Sequence, residues 1–351
     1  MAVLGTRYIT FRDLASGRTP TGFVDRDVVE MVAQENPVLQ DVLWKQCNKG
    51  REDYTTIRTG MPEAVLRTFY QGFAGTKSSK KQVTNACCKV TTGIEFDWAL
   101  YESDKDKAAF LADEQRAHSS VLGDKVASLL FYGDTASDPK GINGFAKTFS
   151  EYGAVSGAGM ATDDAKAAFY CFSAGKASET GSAAASVARR SVFLVGWGAR
   201  SAHGIYPEGS SAGLKIGQLT KQYQTDGAGG NLLMGLQEMN FEAGLNIRDF
   251  RYCGRIANIN IMSDPMAVDT PDVGLLLRRM VSRVKTNGVT HRFYCPRLVF
   301  EHAAMQLERK TQGNAVRYAD LEQKKEASLF GIPVAFCDCM NGDEAEVPAA
   351  S

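Results

Sequence analysis

The sequence predicts an α+β fold from three observations. Residues 51–98 are rich in Thr, Val, Ile, Phe and Tyr, which favour strands. About 27 residues after Ser103 lack proline and repeat apolar side chains at helical spacing. Farther along, helix and strand patterns mix without the regular alternation of a parallel βαβ sheet. The 351 residues are ample for a large buried core.

The N-terminal 50 residues predict an arm with short helices. Residues 1–22 mix Gly, Thr, Arg and Pro without a period, which is typical of an extended segment. From Asp25 onward, valine and leucine recur at helical spacing, with an interruption at Pro37. We therefore expect two short amphipathic helices in this region.

Residues 51–98 predict a long β-hairpin. The stretches DYTTIRTGMPEAVLRTFYQGF and KKQVTNACCKVTTGIEFDWAL carry the strand composition, and AGTKSS between them supplies a polar turn that contains glycine. A two-stranded ribbon buries too little surface to be stable alone in water. The hairpin is therefore expected to lie across another chain.

Residues from about 104 to 132 predict one long helix, and the turn-rich stretch FYGDTASDPKGINGF follows it. Ser103 and Asp106 form a serine-x-x-aspartate start that resembles a capping box, and Gly133 marks the end. At about 1.5 Å per residue, such a helix is about 40 Å long. Its predicted apolar stripe consists of Leu111, His118, Val121, Leu122, Leu129 and Leu130.

The remaining chain carries mixed elements. Residues 153–188 are dominated by Ala, Gly and Ser and form a candidate insertion. SVFLVGWGARSAHGIYPEGSSAGL, at 191–214, predicts strand, turn and strand, with glycines that allow close approach of the chain. Helices are predicted to open at Pro271 and at Pro296. Finally, LFGIPVAFCDCM predicts a buried closing strand, followed by a loose acidic tail.

Charge and cysteine content exclude several classes of protein. The 40 basic and 40 acidic side chains cancel, so a histone-like DNA binder is excluded, although a shell around DNA is not. No apolar run approaches the roughly 20 residues that span a bilayer. Without a leader at Met1, we expect the eight cysteines to be reduced. Cys337-x-Cys339 has no second Cys or His pair at ligand spacing, so neither a metal nor a cofactor is expected.

The sequence contains no recognisable catalytic motif. The glycine-rich stretch at 196–204 lacks the lysine of a phosphate-binding loop, and G-x-S-x-G does not occur. His118 is expected in the core, and His291 and His302 lack metal-ligand spacing. His203, expected in a turn, is more typical of a backbone contact than of a general base. A hydrolase or transferase that uses His203 with a nearby carboxylate is the alternative from another class.

Several stretches together resemble the major capsid proteins of short-tailed, podovirus-like double-stranded DNA bacteriophages. In chain order they are NPVLQDVLW, TTIRTGMPEAVLRTFYQGF with KSSKKQVTNAC, SVFLVGWGARSAHGIYPEGSSAGL, RFYCPRLVFEHAAMQ and GIPVAFCDCM. The resemblance covers most of the chain, from about residue 25 to about residue 340.

The resemblance implies the capsid fold shared by tailed phages, encapsulins and herpesvirus shell floors. It implies an arm at 1–50, an extended loop at 51–98, a peripheral domain with a spine helix at 99–150 and an axial domain at 151–325. Residues 326–351 would hold a closing strand of the peripheral domain and the tail. The protein would be a structural, non-enzymatic subunit that self-assembles in the host bacterial cytoplasm. The resulting virion head would be icosahedral and enclose double-stranded DNA. An encapsulin-type compartment is the alternative within the fold.

The resemblance also implies partners and contact residues. Pentamers and hexamers would be held by non-covalent contacts of the loop and arm. A scaffolding protein, a portal, a decoration or cement protein and weakly contacted packaged DNA are the other expected partners; a membrane is not. Trp197 and Tyr206 are predicted to anchor packing in the axial domain. The predicted intersubunit contacts are Arg58, Arg67, Phe69, Tyr70, Lys77, Lys80 and Lys81.

Overall fold

A computed structural model describes residues 36–153, 167–175, 188–225, 230–262, 264, 270–310, 316–318 and 327–349. Most of the predicted arm, including its first helix, lies outside these residues, as does much of the candidate insertion. The helices are α1 (Val38–Asp41), α2 (Trp98–Ser103), α3 (Lys107–Tyr132), α4 (Phe145–Thr148), α5 (Val273–Arg283) and α6 (Arg297–Lys310).

The strands confirm that helix and strand are mixed in an α+β fold. They are β1 (Trp44–Gln46), β2 (Glu52–Gly60), β3 (Ser79–Ala86), β4 (Cys88–Asp97), β5 (Cys171–Ser173), β6 (Arg189–Trp197), β7 (Ala202–Tyr206), β8 (Leu214–Ile216), β9 (Thr220–Thr225), β10 (Asn231–Ile247), β11 (Cys253–Asn260), β12 (Thr290–Cys295), β13 (Val316–Tyr318), β14 (Ala327–Leu329) and β15 (Ile332–Phe336).

The described chain forms two compact units. The first unit contains residues 89–127 and 212–243, and the second contains 36–88, 128–211 and the described residues from 244 onward. In the first unit, β8 and β9 pair antiparallel with β10. Its core is an aromatic and aliphatic cluster in which Phe96 meets the edge of Phe110 at a centroid distance of 5.5 Å.

The predicted long helix is present as α3, but its start differs from the predicted capping box. Ser103 ends α2, and its hydroxyl donates to the carbonyl of Leu100 at 2.7 Å. Asp106 is the residue that caps α3, because its carboxylate accepts the backbone N–H of Ala109 at 3.1 Å. Val121, expected on the apolar stripe, is instead 63% exposed.

The second unit is built around β6, which is almost entirely buried. β11 and β12 flank β6 on its two edges, both antiparallel. Helices α5 and α6 cover this sheet with an apolar layer that includes Leu277, Met280 and Val299, packed near Leu194. Asp272 caps α5 by accepting the N–H of Leu275 at 3.2 Å, so Pro271 precedes the cap instead of opening the helix.

Two chain segments join this sheet in ways that the sequence did not indicate. The described part of the candidate insertion contributes β5, which pairs in parallel with β11 and buries Phe172. The predicted closing strand is present as β15, and it pairs in parallel with β12. It therefore lies beside a strand from segment 151–325, which the sequence analysis had placed in a separate domain.

Candidate intersubunit surface

The predicted hairpin exists, but it is smaller than the predicted range of 51–98. Its ladder involves only β2 and β3, and Cys88–Asp97 form β4, which belongs to the other sheet. β2 and β3 pair from Glu52 opposite Ala86 to Gly60 opposite Ser79. Residues 61–78, here called the tip, contain no strand. Pro62 follows the last paired residues and has no N–H to donate, so the ladder ends there.

The tip contains a turn at residues 68–71. The N–H of Gln71 donates to the carbonyl of Thr68 at 3.3 Å, and the side-chain carbonyl of Gln71 accepts the hydroxyl of Thr68 at 3.2 Å. Tyr70 has a φ angle of 63°, in the left-handed region. That conformation costs a residue other than glycine about 1 kcal/mol. The turn displays the side chains of Phe69 and Tyr70 outward.

Large apolar side chains on the tip face solvent. Leu66, Phe69 and Tyr70 are essentially fully exposed, at 99%, 93% and 106% of their reference areas. Soluble monomers rarely concentrate exposed apolar groups in this way, and such patches mark sites of association. The full set is Met61, Val65, Leu66, Phe69, Tyr70 and Phe73.

The predicted cationic contact residues are also exposed on the hairpin. Arg67 lies over the ring of Phe73, with its guanidinium carbon 5.8 Å from the ring centroid. Arg58 lies directly opposite Lys80 across the ladder, a pairing of like charges that destabilises an isolated hairpin. Among the described residues, no carboxylate forms an ion pair with Arg58, Lys77 or Lys80. The predicted contacts thus lie along one exposed hairpin.

Buried polar groups anchor the hairpin at its base. Asp53 on β2 is only 1% exposed, and its carboxylate accepts a hydrogen bond from the amide of Asn246 on β10. The same amide nitrogen lies 2.9 Å from the hydroxyl oxygen of Thr55, and the amide oxygen of Asn246 accepts from Asn85 at 3.1 Å. Both hairpin strands are therefore tied to one asparagine, which fixes the base of the hairpin.

His203 belongs to this base, which corrects its predicted position in a turn. It lies within β7 and is fully buried, because the turn is completed earlier, at Ser201. Its Nε2 atom is 3.9 Å from Oδ2 of Asp53, and among the described residues neither ring nitrogen has a hydrogen-bond partner. Burial, followed by the charge of Arg248, lowers the pKa of His203 to about 4. His203 is therefore a neutral interior residue.

A groove of about 590 Å³ lies beside the base of the hairpin. Residues 54–59 of β2 form one wall, and Arg200, Arg248 and Arg251 lie in the other. Asp249 neutralises Arg251 through two hydrogen bonds of 2.7 and 2.6 Å. Arg58 and Arg200 leave the groove positively charged, which suits carboxylate or phosphate groups.

Trp197 and Tyr206 both lie in the second unit. The indole N–H of Trp197 donates to the hydroxyl of Tyr294 at 2.7 Å, which in turn donates to Asp41 at 2.7 Å. Burial and the nearby Asp41 carboxylate raise the pKa of Tyr294. Tyr206 is half-buried, and its carbonyl accepts the N–H of Cys47 at 2.9 Å.

Two segments of this chain approach closely at Gly204, where β1 lies against β7. A Cβ atom on Gly204 would lie 2.5 Å from Val42 and 2.6 Å from Trp44. Only glycine leaves room for these side chains against the strand. Within 191–214, the strands β6 and β7 are therefore closely packed, whereas most of residues 208–213 are exposed.

His118, predicted to lie in the core, lies at its edge. His118 is half-buried, and its Nδ1 lies 2.8 Å from the hydroxyl oxygen of Thr92, so its ring does have a partner. Burial lowers the pKa of His118.

Within the described ranges, no three His, Cys, Asp or Glu side chains are placed to hold a metal ion. No described helix is long and apolar enough to cross a membrane.

Sequence reasoning missed several residues of this surface. Leu66 and Phe73 escaped notice because they were assigned to paired strands, where alternate side chains are expected to be covered. Asp53 and Asn246 are 193 positions apart, and no local pattern connects them. Gly60 and Pro62 were the residues in the sequence that indicated the end of the ladder.

A fixed hairpin base, an exposed apolar tip and a helix-covered sheet define a subunit that builds a larger assembly. The chain belongs to the family described as major capsid protein GP7, whose model matches residues 19–348. Its role is therefore structural and not enzymatic, as a subunit of a multimeric capsid shell in the virion. A search of curated protein sequences finds no match.

A solved bacteriophage structure shares the fold of this chain. A chain of bacteriophage epsilon15, determined by cryo-EM, is 22% identical, with full coverage of both chains and a TM-score of 0.75. The bacteriophage JBD30 capsid is 8% identical over 95% of this chain and 99% of its own, with a TM-score of 0.44. The SrpI encapsulin of Synechococcus elongatus is 10% identical over 73% and 98%, with a TM-score of 0.39. The predicted capsid fold and capsid-protein family are confirmed.

Proposed function

We propose that the hairpin joins neighbouring copies of this chain without covalent bonds, and that the shell is the icosahedral head of a short-tailed bacteriophage. One observation carries this proposal. The tip exposes six large apolar side chains on a hairpin whose base is fixed by buried hydrogen bonds. Exposure of that kind is unfavourable in water and is relieved when the tip lies on another surface.

The positive charge of the hairpin also favours its contact with a neighbouring copy. Arg58 and Lys80 repel each other across the ladder, and an acidic surface of a second copy would compensate both. Arg67, Lys77 and Lys81 extend the cationic character along the hairpin. Phe69 and Tyr70 serve as the apolar anchors, because buried aromatic side chains at the centre of an interface contribute most of its affinity.

The remaining assignments follow the family resemblance. Pentamers and hexamers would enclose double-stranded DNA, which the neutral overall charge permits through weak, non-specific contact. Assembly would occur in the host cytoplasm, with a scaffolding protein, a portal and a decoration or cement protein as partners. We assign the arm to 1–50, the extended loop to 51–98, the peripheral domain with its spine helix to 99–150 and the axial domain to 151–325. The closing strand within 326–351 pairs with β12, so we place it with the segment 151–325.

Substitution at the tip tests the proposal. The double variant Phe69→Ser with Tyr70→Ser removes both anchors from a segment that the isolated chain leaves exposed. We expect unchanged stability of the isolated chain. We expect at least about a 30-fold higher protein concentration for assembly, equivalent to about 2 kcal/mol per contact. Sedimentation velocity over a concentration series measures the amounts of isolated chain and assembled shell.

A matched control uses an aromatic residue of similar exposure outside the hairpin. Tyr223 on β9 is 72% exposed, so Tyr223→Ser changes exposed aromatic area without touching the tip. Assembly of the control at the wild-type concentration, together with failure of the tip variant, supports the proposal. Normal assembly of the tip variant would contradict it.

A further inference from the structure

Two cysteine side chains meet at the neck of the hairpin, defined here as Cys47 and Cys87. Their Sγ atoms are 3.3 Å apart. Cys47 precedes β2 and Cys87 follows β3, so the intervening chain contains the whole hairpin, including the tip. The two thiols thus lie where the hairpin begins and ends.

Main-chain hydrogen bonds hold this pair in place. The N–H of Cys47 donates to the carbonyl of Tyr206 at 2.9 Å, and the N–H of Cys87 donates to the carbonyl of Arg51 at 2.9 Å. A disulfide has an S–S length of about 2.05 Å, so the sulfur atoms need to approach by only about 1.3 Å. Small side-chain rotations cover such a distance without moving the backbone anchors.

We propose that Cys47 and Cys87 form an intrachain disulfide that closes the neck of the hairpin when the folded chain meets a low-molecular-weight disulfide such as oxidised glutathione. The Cys87 thiolate, on the less buried side chain, attacks a glutathione sulfur and expels one glutathione thiolate. The deprotonated sulfur of Cys47 then attacks Sγ of Cys87 and expels the second. Each expelled thiolate takes up one of the two cysteine protons, so one disulfide is consumed, one is formed and two glutathione thiols are released.

The surroundings of the thiols set the conditions for this exchange. Burial raises the pKa of Cys47, and burial together with the hydrogen bond to Cys47 raises the pKa of Cys87. Both groups are therefore protonated at neutral pH, and exchange is slow there because the thiolate is the nucleophile. A reducing cytoplasm keeps the pair as thiols, and, on the proposed function, the released virion meets the oxidising conditions.

The test uses the full chain incubated with oxidised glutathione at pH 8.5. Thiols are counted with a maleimide reagent under denaturing conditions, and intact mass is measured without reductant. We expect the wild type to lose two of its eight thiols and about 2 Da, without a gain of glutathione. The melting temperature is expected to rise on the order of 5 °C, because the cross-link restricts the unfolded chain.

Three variants assign the bond to these two residues. Cys47→Ala and Cys87→Ser should each retain all seven remaining thiols or carry one glutathione adduct. Cys88→Ser, the adjacent control, should still lose two. Retention of eight thiols by the folded wild type would overturn the proposal, as would bonding of Cys47 to Cys88 or a cross-link between chains. None of these readouts requires shell formation, so failure of the proposed function and failure of this cross-link are distinguishable.

Discussion

The Nε2 atom of His203 lies 3.9 Å from the Oδ2 atom of Asp53, and the two side chains join β7 to the first strand of the hairpin in a fully buried site. Arg248 approaches the same carboxylate oxygen to 3.9 Å. The hairpin base is therefore held by a compact polar cluster whose only titratable ring is neutral at neutral pH.

This site predicts a specific dependence of stability on pH. Burial and the charges of Arg248 and Lys45 lower the pKa of His203 to about 4, although Asp53 opposes them. The unfolded chain, with a histidine pKa of about 6.5, binds more protons between these values. The contribution of His203 is thus present above pH 6.5 and is lost as the pH falls to about 4, with a total change on the order of 3 kcal/mol.

The measurement is urea unfolding of wild type and His203→Met at pH 7, 5.5 and 4.5. The variant removes the titrating ring from the buried site, so its stability should decline less than that of the wild type. His118→Gln is the comparison, because burial also lowers the pKa of this ring but the ring is only half-buried and has a hydrogen-bond partner, so the variant should change the pH dependence less than His203→Met does. Equal decline of the wild type and the His203 variant would exclude the predicted role.

Gly204→Ala is expected to destabilise the second unit by about 1–3 kcal/mol. The added Cβ would lie 2.5 Å from Val42 and 2.6 Å from Trp44, so β1 must move away from β7. Gly72→Ala is the control, since a Cβ there meets no atom within 4 Å. Chemical denaturation of the isolated chain measures both, and a stable Gly204→Ala protein would show that β1 is not packed tightly on β7.

Glu344 links the C-terminal segment to α3, β6 and β11. The variant Glu344→Ala is expected to lower the free energy of unfolding by about 3–5 kcal/mol. The Glu344 carboxylate accepts from Arg255 at 2.7 Å and from Tyr132 at 2.7 Å, and it also accepts the Ser191 hydroxyl. The substitution leaves the buried guanidinium of Arg255 without its counterion.

Glu346→Ala provides the comparison for this ion pair. Glu346 pairs with Arg189 at 3.3 Å but is 49% exposed, so water screens the interaction. A loss below about 1 kcal/mol is expected. Thermal or urea unfolding distinguishes the two variants, and equal stability losses would contradict the assigned difference in burial.

Arg67→Glu is expected to lower the yield of assembled shells about 5-fold or more, with little change in the stability of the isolated chain. The variant reverses a charge on the exposed tip and removes the contact with Phe73. Arg67→Lys retains the charge and should assemble more fully. Shell yield measured by gradient centrifugation at low and high salt checks this, and identical yields for wild type and Arg67→Glu would contradict the assignment.

Helices and strands were predicted well where composition, apolar spacing or a turn residue within the element itself indicates them. The composition of 51–98 located the hairpin, and the apolar spacing and terminal glycine located α3 to within a few residues. The exact start of α3 was missed because two acceptable caps, Ser103 and Asp106, stand three positions apart. The extent of β2 was overestimated because strand composition continues past Pro62, although pairing does not.

Long-range relationships were beyond sequence reasoning. Asn246 is 193 positions from Asp53 and 161 from Asn85, and only the folded chain brings the three together. The burial of His203 depends on β1, which pairs with β7 from a distant part of the chain. A single histidine between strands carries no local indication of such an environment, so its predicted place in a turn was wrong.

The most direct test of the central claim is a cryo-EM structure of the assembled shell that resolves the hairpin tip. The account predicts that Leu66, Phe69 and Tyr70, exposed in the single chain, are buried on a neighbouring copy, with acidic side chains within about 4 Å of Arg67 or Lys80. A closed shell in which these three side chains remain in solvent would contradict the claim that the tip holds the subunits together.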